Sequence, residues 1–281
     1  MTEVASVLSA ADVRVPRIIY GTAWKGPRTE LLVRQAIGLG FRGIDTACQP
    51  KHYDEAGTGA GLAAALTGKL GRGDLYVQTK FTSVTGQDSR RVPYDPTASL
   101  TDQVAQSFAV SLRNLRTDYL DCLVLHSPLP DAKQMDEVWR AMERLVERGG
   151  VRQLGISNCY QIDAIARLHD TSRVPLAVVQ NRFYATTHYD AEIRSYCLQH
   201  DIIYQSFWTL TANPGILAHE TVQQLAATHG RTAAQVLFRY LTQIGVVPLT
   251  GTSSTKHMRE DLAILEFELT ANELASMGEL L

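Results

Sequence analysis

The sequence lacks the features that define several classes of protein. Its four cysteines lie far apart and form no Cys-x-x-Cys pair, so we expect neither a disulfide scaffold nor a metal site. It has no basic-then-apolar leader and no apolar run of membrane length, which predicts a cytoplasmic protein without a membrane partner. The formal net charge of −2 indicates no nucleic-acid partner.

A glycine motif for dinucleotide binding is also missing. No Gly-x-Gly-x-x-Gly follows the first strand-like run, which argues against a Rossmann fold. It does not argue against a nicotinamide cofactor, because a β/α barrel binds its cofactor through strand-end side chains and late loops. The 281 residues are 45% hydrophobic and contain no linker or low-complexity block. We therefore expect one domain that spans residues 1–281.

Short β-branched runs alternate along the chain with helical patterns. The predicted strands are residues 18–23, 43–47, 75–80, 120–126, 153–157, 177–181, 202–207 and 246–249. Several are apolar throughout, as expected when both faces of a parallel strand are buried. Predicted helices cover residues 29–39, 104–115, 135–147, 162–168, 191–200, 221–228 and 233–241, with two more starting near residues 257 and 270. Eight such units predict a closed (β/α)8 TIM barrel of the α/β class; an open doubly wound sheet is the alternative.

Four polar residues lie at or near the ends of these strands. They are Asp45, Tyr53, Lys80 and His126. Barrel strands deliver such side chains to one face, so we expect the four to meet there. Reduction of a carbonyl group requires a hydride, which no side chain supplies, and a proton. Tyr53 suits the role of proton donor if a nearby Lys80 ammonium makes its phenol more acidic than usual. Asp45 would keep Lys80 charged, and His126 would hydrogen-bond the carbonyl oxygen.

The order and the flanking residues of these four resemble the aldo-keto reductase superfamily, from about residue 18 onward. The resemblance implies that they form the family's catalytic tetrad, with no metal. One departure is residues 48–52, which place Tyr53 three residues later than in the common motif. This insertion, the loop after Lys80 and residues 207–213 look similar to the fungal and bacterial branch that reduces keto amides and keto esters.

The same resemblance implies a set of cofactor contacts. Ser157, Asn158 and Gln180 would hold the nicotinamide amide, although Ser157 and Asn158 also suit a helix cap. The ring of Phe207 would stack on the nicotinamide. The remaining expected contacts are Thr22, Leu210, Thr250, Ser253, Ser254, Lys256 and His257. Many NADPH-specific relatives have lysine where this chain has Leu249, so Lys256 or His257 must bind the 2′-phosphate. NADPH is favoured, and NADH should bind more weakly.

Trp24, His52 and Trp208 are the expected walls of the pocket for a small carbonyl substrate. The loop at residues 82–96 follows Lys80 and is either a binding element over the site or a surface insertion. We expect a monomer or weak homodimer that reduces aldehydes or ketones. Two rival functions are a regulatory subunit that senses redox state by binding NADPH, and a barrel of another reaction class such as an isomerase.

Overall fold

A closed barrel of eight parallel strands forms the centre of the protein. The computed structural model describes residues 6–67 and 70–281. The strands are β1 (Ser6–Leu8), β2 (Arg14–Pro16), β3 (Ile19–Gly21), β4 (Gly43–Asp45), β5 (Tyr76–Phe81), β6 (Cys122–Leu125), β7 (Leu154–Ser157), β8 (Leu176–Arg182), β9 (Ile203–Phe207) and β10 (Val247–Thr250). The helices are α1 (Thr29–Leu39), α2 (Glu55–Ala65), α3 (Leu100–Leu115), α4 (Ala132–Glu147), α5 (Ile162–Thr171), α6 (Ala191–Gln199), α7 (Pro214–Ala218), α8 (Glu220–His229), α9 (Ala233–Gln243), α10 (Thr255–Leu262) and α11 (Ala271–Gly278).

Strands β3 to β10 pair in chain order, and β10 also pairs with β3. That last pairing closes the barrel and rules out the open, doubly wound sheet. Each of the eight predicted strands is confirmed to within two residues at either end. They were recognisable because a parallel strand between helices and a barrel core is buried on both faces and therefore apolar throughout.

The N-terminal hairpin covers one end of the barrel. Strands β1 and β2 are antiparallel, and Val13 and Val15 pack into the core inside the barrel. The Ser9 hydroxyl donates to Gln153 Oε1 at 2.5 Å, just before β7 begins. The hairpin therefore lies at the N-terminal ends of the strands, which leaves their C-terminal ends as the open face. Its three-residue strands were too short for the sequence pattern to predict.

The helix predictions are confirmed in position, but two helices were not predicted in full. Helix α2 begins after Asp54, whose side chain accepts from the Gly57 amide at 2.8 Å. Its three glycines concealed its length, since glycine disfavours a helix. The short helix α7 lies between β9 and α8, in a segment for which no helix was predicted. A proline at its first position is a normal helix start.

The glycines of α2 are needed for close packing against its neighbours. A Cβ atom at Gly59 would lie 1.9 Å from Asn114 O and 2.7 Å from Leu115 Cα, both backbone atoms of α3. We expect Gly59→Ala to lower the free energy of unfolding by about 1–3 kcal/mol, the usual cost of overpacking. Gly38 in α1 is the control, because nothing lies within 4 Å of its Cβ position.

Gly38→Ala should raise the free energy of unfolding by up to about 1 kcal/mol, since alanine favours a helix more than glycine does. Urea denaturation of both variants measures the difference. Equal effects of the two substitutions would show that the contact of α2 with α3 tolerates a methyl group.

Candidate active site

A buried ion pair lies at the centre of the barrel's open end. The Lys80 ammonium donates to both carboxylate oxygens of Asp45 at 2.6 Å, and to the carbonyl of Thr46 at 2.8 Å. Two side-chain amides, those of Gln78 on β5 and Gln180 on β8, donate to Asp45 Oδ1 at 2.6 and 3.1 Å. Both charged side chains are almost fully buried. The carboxylate is thus hydrogen-bonded by three side chains, which a buried charge requires.

The other two members of the predicted tetrad lie against this ion pair. Lys80 Nζ is 5.2 Å from the centre of the Tyr53 ring. The rings of Tyr53 and His126 meet edge to face with centres 6.0 Å apart. The structure therefore brings Asp45, Tyr53, Lys80 and His126 together, although they are spread over 82 positions of the chain (126 − 45 + 1).

The charge state of the ion pair agrees with expectation, but the acidity of the tyrosine does not. Burial opposes the charge on Lys80, yet the Asp45 carboxylate and Tyr53 raise the pKa of the ammonium overall. For Tyr53, burial raises the pKa above its ordinary value and outweighs the nearby Lys80 charge, which lowers it. The prediction of a phenol more acidic than usual is therefore wrong for this arrangement. Lys80 reduces a pKa that burial has already raised.

His126 is held by a side chain that the sequence analysis did not single out. Its Nδ1 lies 2.6 Å from the Thr82 hydroxyl, at the start of the loop after β5. Burial, with the charges of Lys80 and His52, lowers the pKa of His126 to about 3. The imidazole is therefore neutral at physiological pH. Only one of its nitrogens carries a hydrogen.

Residues 48–52, which include the three additional residues, are hydrogen-bonded to the long loop after β5. Gln49 donates to Gly86 O at 2.8 Å, and Gln87 donates to Cys48 O at 2.9 Å. The Tyr94 hydroxyl donates to Thr82 O at 2.6 Å. The loop of residues 82–96 therefore folds back over the active face and supports Thr82.

Trp24 and His52 form the outer wall of the site. Their ring centres are 4.0 Å apart, and Trp24 N donates to His52 O at 2.8 Å. Trp24 is 66% exposed. The third predicted wall residue, Trp208, lies on the loop after β9 and is 47% exposed. All three line the same cavity.

This cavity has a volume of about 890 Å³ and extends from the tetrad to α10. Seven predicted cofactor residues line it: Ser157, Asn158, Gln180, Phe207, Leu210, Thr250 and His257. The Asn158 amide donates to His126 O at 2.8 Å, so part of its hydrogen-bonding capacity holds the end of β6. Four predicted residues, Thr22, Ser253, Ser254 and Lys256, are not in the cavity lining that the described residues form.

The contacts of three of these four residues account for their positions outside the lining. Thr22 is buried, and its amide and hydroxyl both donate to Asp45 O, at 3.0 and 2.9 Å. Ser254 caps α10, with its hydroxyl accepting from His257 N at 3.4 Å. The Lys256 ammonium is exposed and lies 3.7 Å from a Glu260 carboxylate oxygen. Lys256 and His257 are adjacent on α10, but only His257 lines the cavity. A linear motif does not reveal in which direction each side chain leaves the helix.

Several residues that line the cavity were missed by sequence reasoning. They are Lys25, Gln49, Thr82, Arg182, Thr232, Phe238, Glu260 and Asp261. Arg182 had a usable signal, because it lies two positions after Gln180 on one strand and so shares its face. Thr232 and Phe238 precede or belong to α9 and follow no strand, so the strand-end rule could not find them. Burial raises the pKa of Asp261 to about 6, although Thr250 donates to it at 2.6 Å.

The sequence profile of the aldo/keto reductase family matches residues 18–281, and the chain belongs to this family. It is 32% identical over 268 residues to an aldo-keto reductase of Mycobacterium avium (strain 104), covering 95% of this chain and 86% of the relative. It is 27% identical over 269 residues to a putative methylglyoxal reductase, DkgA, of Salmonella typhi, covering 95% and 90%.

A solved silkworm (Bombyx mori) aldo-keto reductase in complex with NADP has the same fold. The TM-score is 0.83 at 23% identity, and the match covers 99% of this chain and 93% of that one. Family membership and the reductase relatives make this protein an oxidoreductase that acts on carbonyl groups with a nicotinamide cofactor. They exclude the isomerase alternative.

None of the helices within residues 6–67 and 70–281 is long and apolar enough to cross a membrane. Over the same residues, no group of three or more histidine, cysteine or acidic side chains is placed to hold a metal ion.

Proposed function

We propose that this protein reduces aldehydes or ketones to alcohols with NADPH, and that Tyr53 is the general acid. The observation that carries the proposal is the meeting of Tyr53, His126 and the Lys80–Asp45 pair at one wall of the 890 Å³ cavity. The raised pKa keeps the Tyr53 phenol protonated before the reaction, and the neighbouring Lys80 charge counteracts part of that rise. Lys80 then stabilises the phenolate that remains after the proton has moved.

The hydrogen-bonding groups near the tetrad fit a nicotinamide amide. Gln180 Oε1 accepts no hydrogen bond from the described residues, while its Nε2 is engaged by Asp45 and Gln205. Ser157 Oγ accepts from Asn158 Nδ2 at 3.3 Å and retains its own hydrogen to donate. An amide offers one acceptor and two donors, which match these two groups. When bound there, the nicotinamide supplies the hydride.

The role of His126 depends on which nitrogen carries its hydrogen. Thr82 is buried, and His126 Nδ1 is the only acceptor within reach of its hydroxyl among the described residues. If Nδ1 donated instead, the hydroxyl hydrogen would be left unpaired at a cost of about 1–3 kcal/mol. We infer that Thr82 donates to Nδ1. The hydrogen then sits on Nε2, which is free to donate to the carbonyl oxygen of a substrate.

Turnover separates this proposal from a regulatory subunit that binds NADPH. We expect methylglyoxal, or another simple aldehyde, to be reduced at about 1 per second or faster, in the ordinary range of enzymes. The fall in NADPH absorbance at matched aldehyde concentrations measures the rate, and product analysis confirms the alcohol. Quenching of tryptophan fluorescence reports NADPH binding separately. Binding without turnover, across aldehydes, ketones and keto esters, would favour the regulatory subunit.

Binding of the cofactor's 2′-phosphate should depend on His257 more than on Lys256. His257 lines the cavity, whereas Lys256 is exposed beside Glu260. A charge-assisted contact contributes about 1.5–3 kcal/mol, and 1.4 kcal/mol is about tenfold in affinity. We therefore expect His257→Ala with Lys256→Ala to weaken NADPH about tenfold and to spare NADH. Of the single variants, His257→Ala should have the larger effect.

Titration of both cofactors by fluorescence at low and moderate salt measures these affinities. Added salt should shrink the preference, because exposed charges are screened. Lys133→Ala, an exposed position on α4, is the control and should change neither affinity. Equal losses of NADPH and NADH affinity in the double variant would show that Lys256 and His257 do not bind the 2′-phosphate.

A further inference from the structure

Arg182 extends from the last position of β8 into the catalytic cavity. Side chains alternate along a strand, so Arg182 lies on the same face as Gln180, about 6–7 Å nearer the mouth. The Gln180 amide reaches Asp45 at 3.1 Å, which places this face over the tetrad. Asn181, between them, points the other way and bonds to Cys159 and Asp190.

The guanidinium group of Arg182 has no acceptor among the described residues. It forms no ion pair and no side-chain hydrogen bond there, and its Nε is buried without a partner. Two other cations at this end of the barrel are engaged: Lys80 by Asp45, and Lys25 by the carbonyl of Gly251. A half-buried cation with unused donors is costly unless a ligand satisfies it.

Two aromatic rings hold this guanidinium without using its hydrogen-bond donors. Its central carbon lies 4.2 Å from the centre of the Trp208 ring and 5.3 Å from that of Tyr184. Stacking on ring faces leaves the edge of the planar fork open to bind a carboxylate through two hydrogen bonds. The side chain is thus oriented, charged and unpaired inside the cavity that contains Tyr53 and His126.

We infer that Arg182 binds an anionic group on the substrate, so that carbonyl compounds bearing a carboxylate, such as 2-oxo acids, are preferred over their esters. This inference rests on the proposed reductase function. The carboxylate itself does not react: the neighbouring carbonyl carbon gains a hydride from NADPH, its oxygen gains the Tyr53 proton, and a 2-hydroxy acid and NADP+ result. A cofactor phosphate is an anion of similar chemistry, so the test must separate the two sources.

Benzoylformate and its methyl ester share one ketone, and the ester replaces the negatively charged carboxylate with a neutral group that is one methyl larger. We expect Arg182→Gln to lower the ratio of kcat/KM for the acid over the ester by about tenfold to a hundredfold. This corresponds to about 1.4–2.8 kcal/mol, at 1.4 kcal/mol per tenfold. Arg182→Lys should recover part of the ratio, since it retains the charge but not the fork. Arg34→Gln, on the exposed face of α1, should leave the ratio unchanged.

An unchanged acid-to-ester ratio in Arg182→Gln overturns the inference. If the losses are equal for both substrates and NADPH also binds more weakly, Arg182 serves the cofactor phosphate instead. Equal losses with a lowered melting temperature would show a packing role, which also overturns it. If the wild type reduces neither compound and no simple aldehyde either, the reductase proposal fails in itself.

A binding measurement then decides the inference independently of turnover. Phenylacetate, an unreactive carboxylate, should quench the fluorescence of Trp208 in the NADP+ complex of the wild type. The affinity for phenylacetate, measured from this quenching, should fall at least tenfold in Arg182→Gln. Equal affinities in the two proteins overturn the inference.

Discussion

Replacing Tyr53 with phenylalanine is expected to lower kcat by about two orders of magnitude or more, while the affinity for NADPH stays nearly unchanged. A positioned general acid contributes about 10²–10⁴-fold to a rate. The phenol is the group next to both Lys80 and His126 that can give up a proton to the developing alkoxide. Phenylalanine keeps the ring that packs against these neighbours. The loss should therefore be chemical rather than structural.

The rival proton donor is His52, whose ring stacks on Trp24 at the rim of the cavity. Burial, with the charge of Lys51, lowers the pKa of His52. This shift disfavours the protonated imidazole that a proton donor requires. His52→Gln should keep most of the activity. Steady-state kinetics and cofactor titration of both variants test the assignment. Retention of most activity in Tyr53→Phe, with a large loss in His52→Gln, would transfer the role to His52.

Lys80→Met is expected to be as damaging to catalysis as the tyrosine change, and Asp45→Asn somewhat less so. Lys80 acts on the phenol directly, whereas Asp45 acts by keeping Lys80 charged and in place. The single Lys80 change also leaves a buried carboxylate without its cation, which typically costs about 3–5 kcal/mol of folding stability. Loss of folding must therefore be separated from loss of chemistry.

The double variant Asp45→Asn with Lys80→Met makes this separation. It removes both charges together, so its free energy of unfolding should lie closer to that of the wild type than does that of Lys80→Met alone. Its catalytic rate should remain as low as that of the single variant. Recovery of activity together with stability would show that Lys80 has only a structural role.

The pH dependence of reduction provides a second measurement on the same residues. If Tyr53 is the general acid, activity requires the protonated phenol and falls as the pH rises through the pKa of Tyr53. Lys80 lowers this pKa against the effect of burial, so removing Lys80 should move the alkaline limb to higher pH. The Asp45–Lys80 double variant suits this test, because Lys80 lowers the Tyr53 pKa by more than the Asp45 charge raises it. An alkaline limb that stays in place would contradict a direct action of Lys80 on the phenol.

The strands, and the meeting of Asp45, Lys80 and His126 at one face, were predictable because they depend on local patterns. Asp45, Lys80 and His126 each end, or nearly end, an apolar run, and parallel barrel strands carry such residues to one face. Tyr53 was predictable only through the family motif, because the insertion at residues 48–52 moves it away from the end of β4. The glycines of α2 hid a helix whose close packing requires Gly59 against α3 and Gly61 against α1.

The residues that orient the site were not predictable in the same way. Thr82 meets His126 because the loop of residues 82–96 folds back and is fastened by Gln87 and Tyr94. Lys256 and His257 are neighbours in sequence, yet only His257 faces the cavity. These outcomes depend on how loops and helices lie across the barrel mouth. No short motif contains that information.

By itself, the sequence determined the barrel and the chemical groups at its open end. Strands buried on both faces are apolar throughout and end in polar residues, and both features are recognisable in a short stretch of sequence. Only the tertiary structure decided the state of those groups. The pKa of Tyr53 rises because the burial around it outweighs the charge of Lys80, and this balance depends on what covers the site. Arg182 lies unpaired against Trp208 because the acidic side chains that the structure describes are too far away to pair with it. The Tyr53 pKa depends on the exclusion of solvent, and the unpaired state of Arg182 depends on distances between residues far apart in the sequence. Both exist only once the chain has folded.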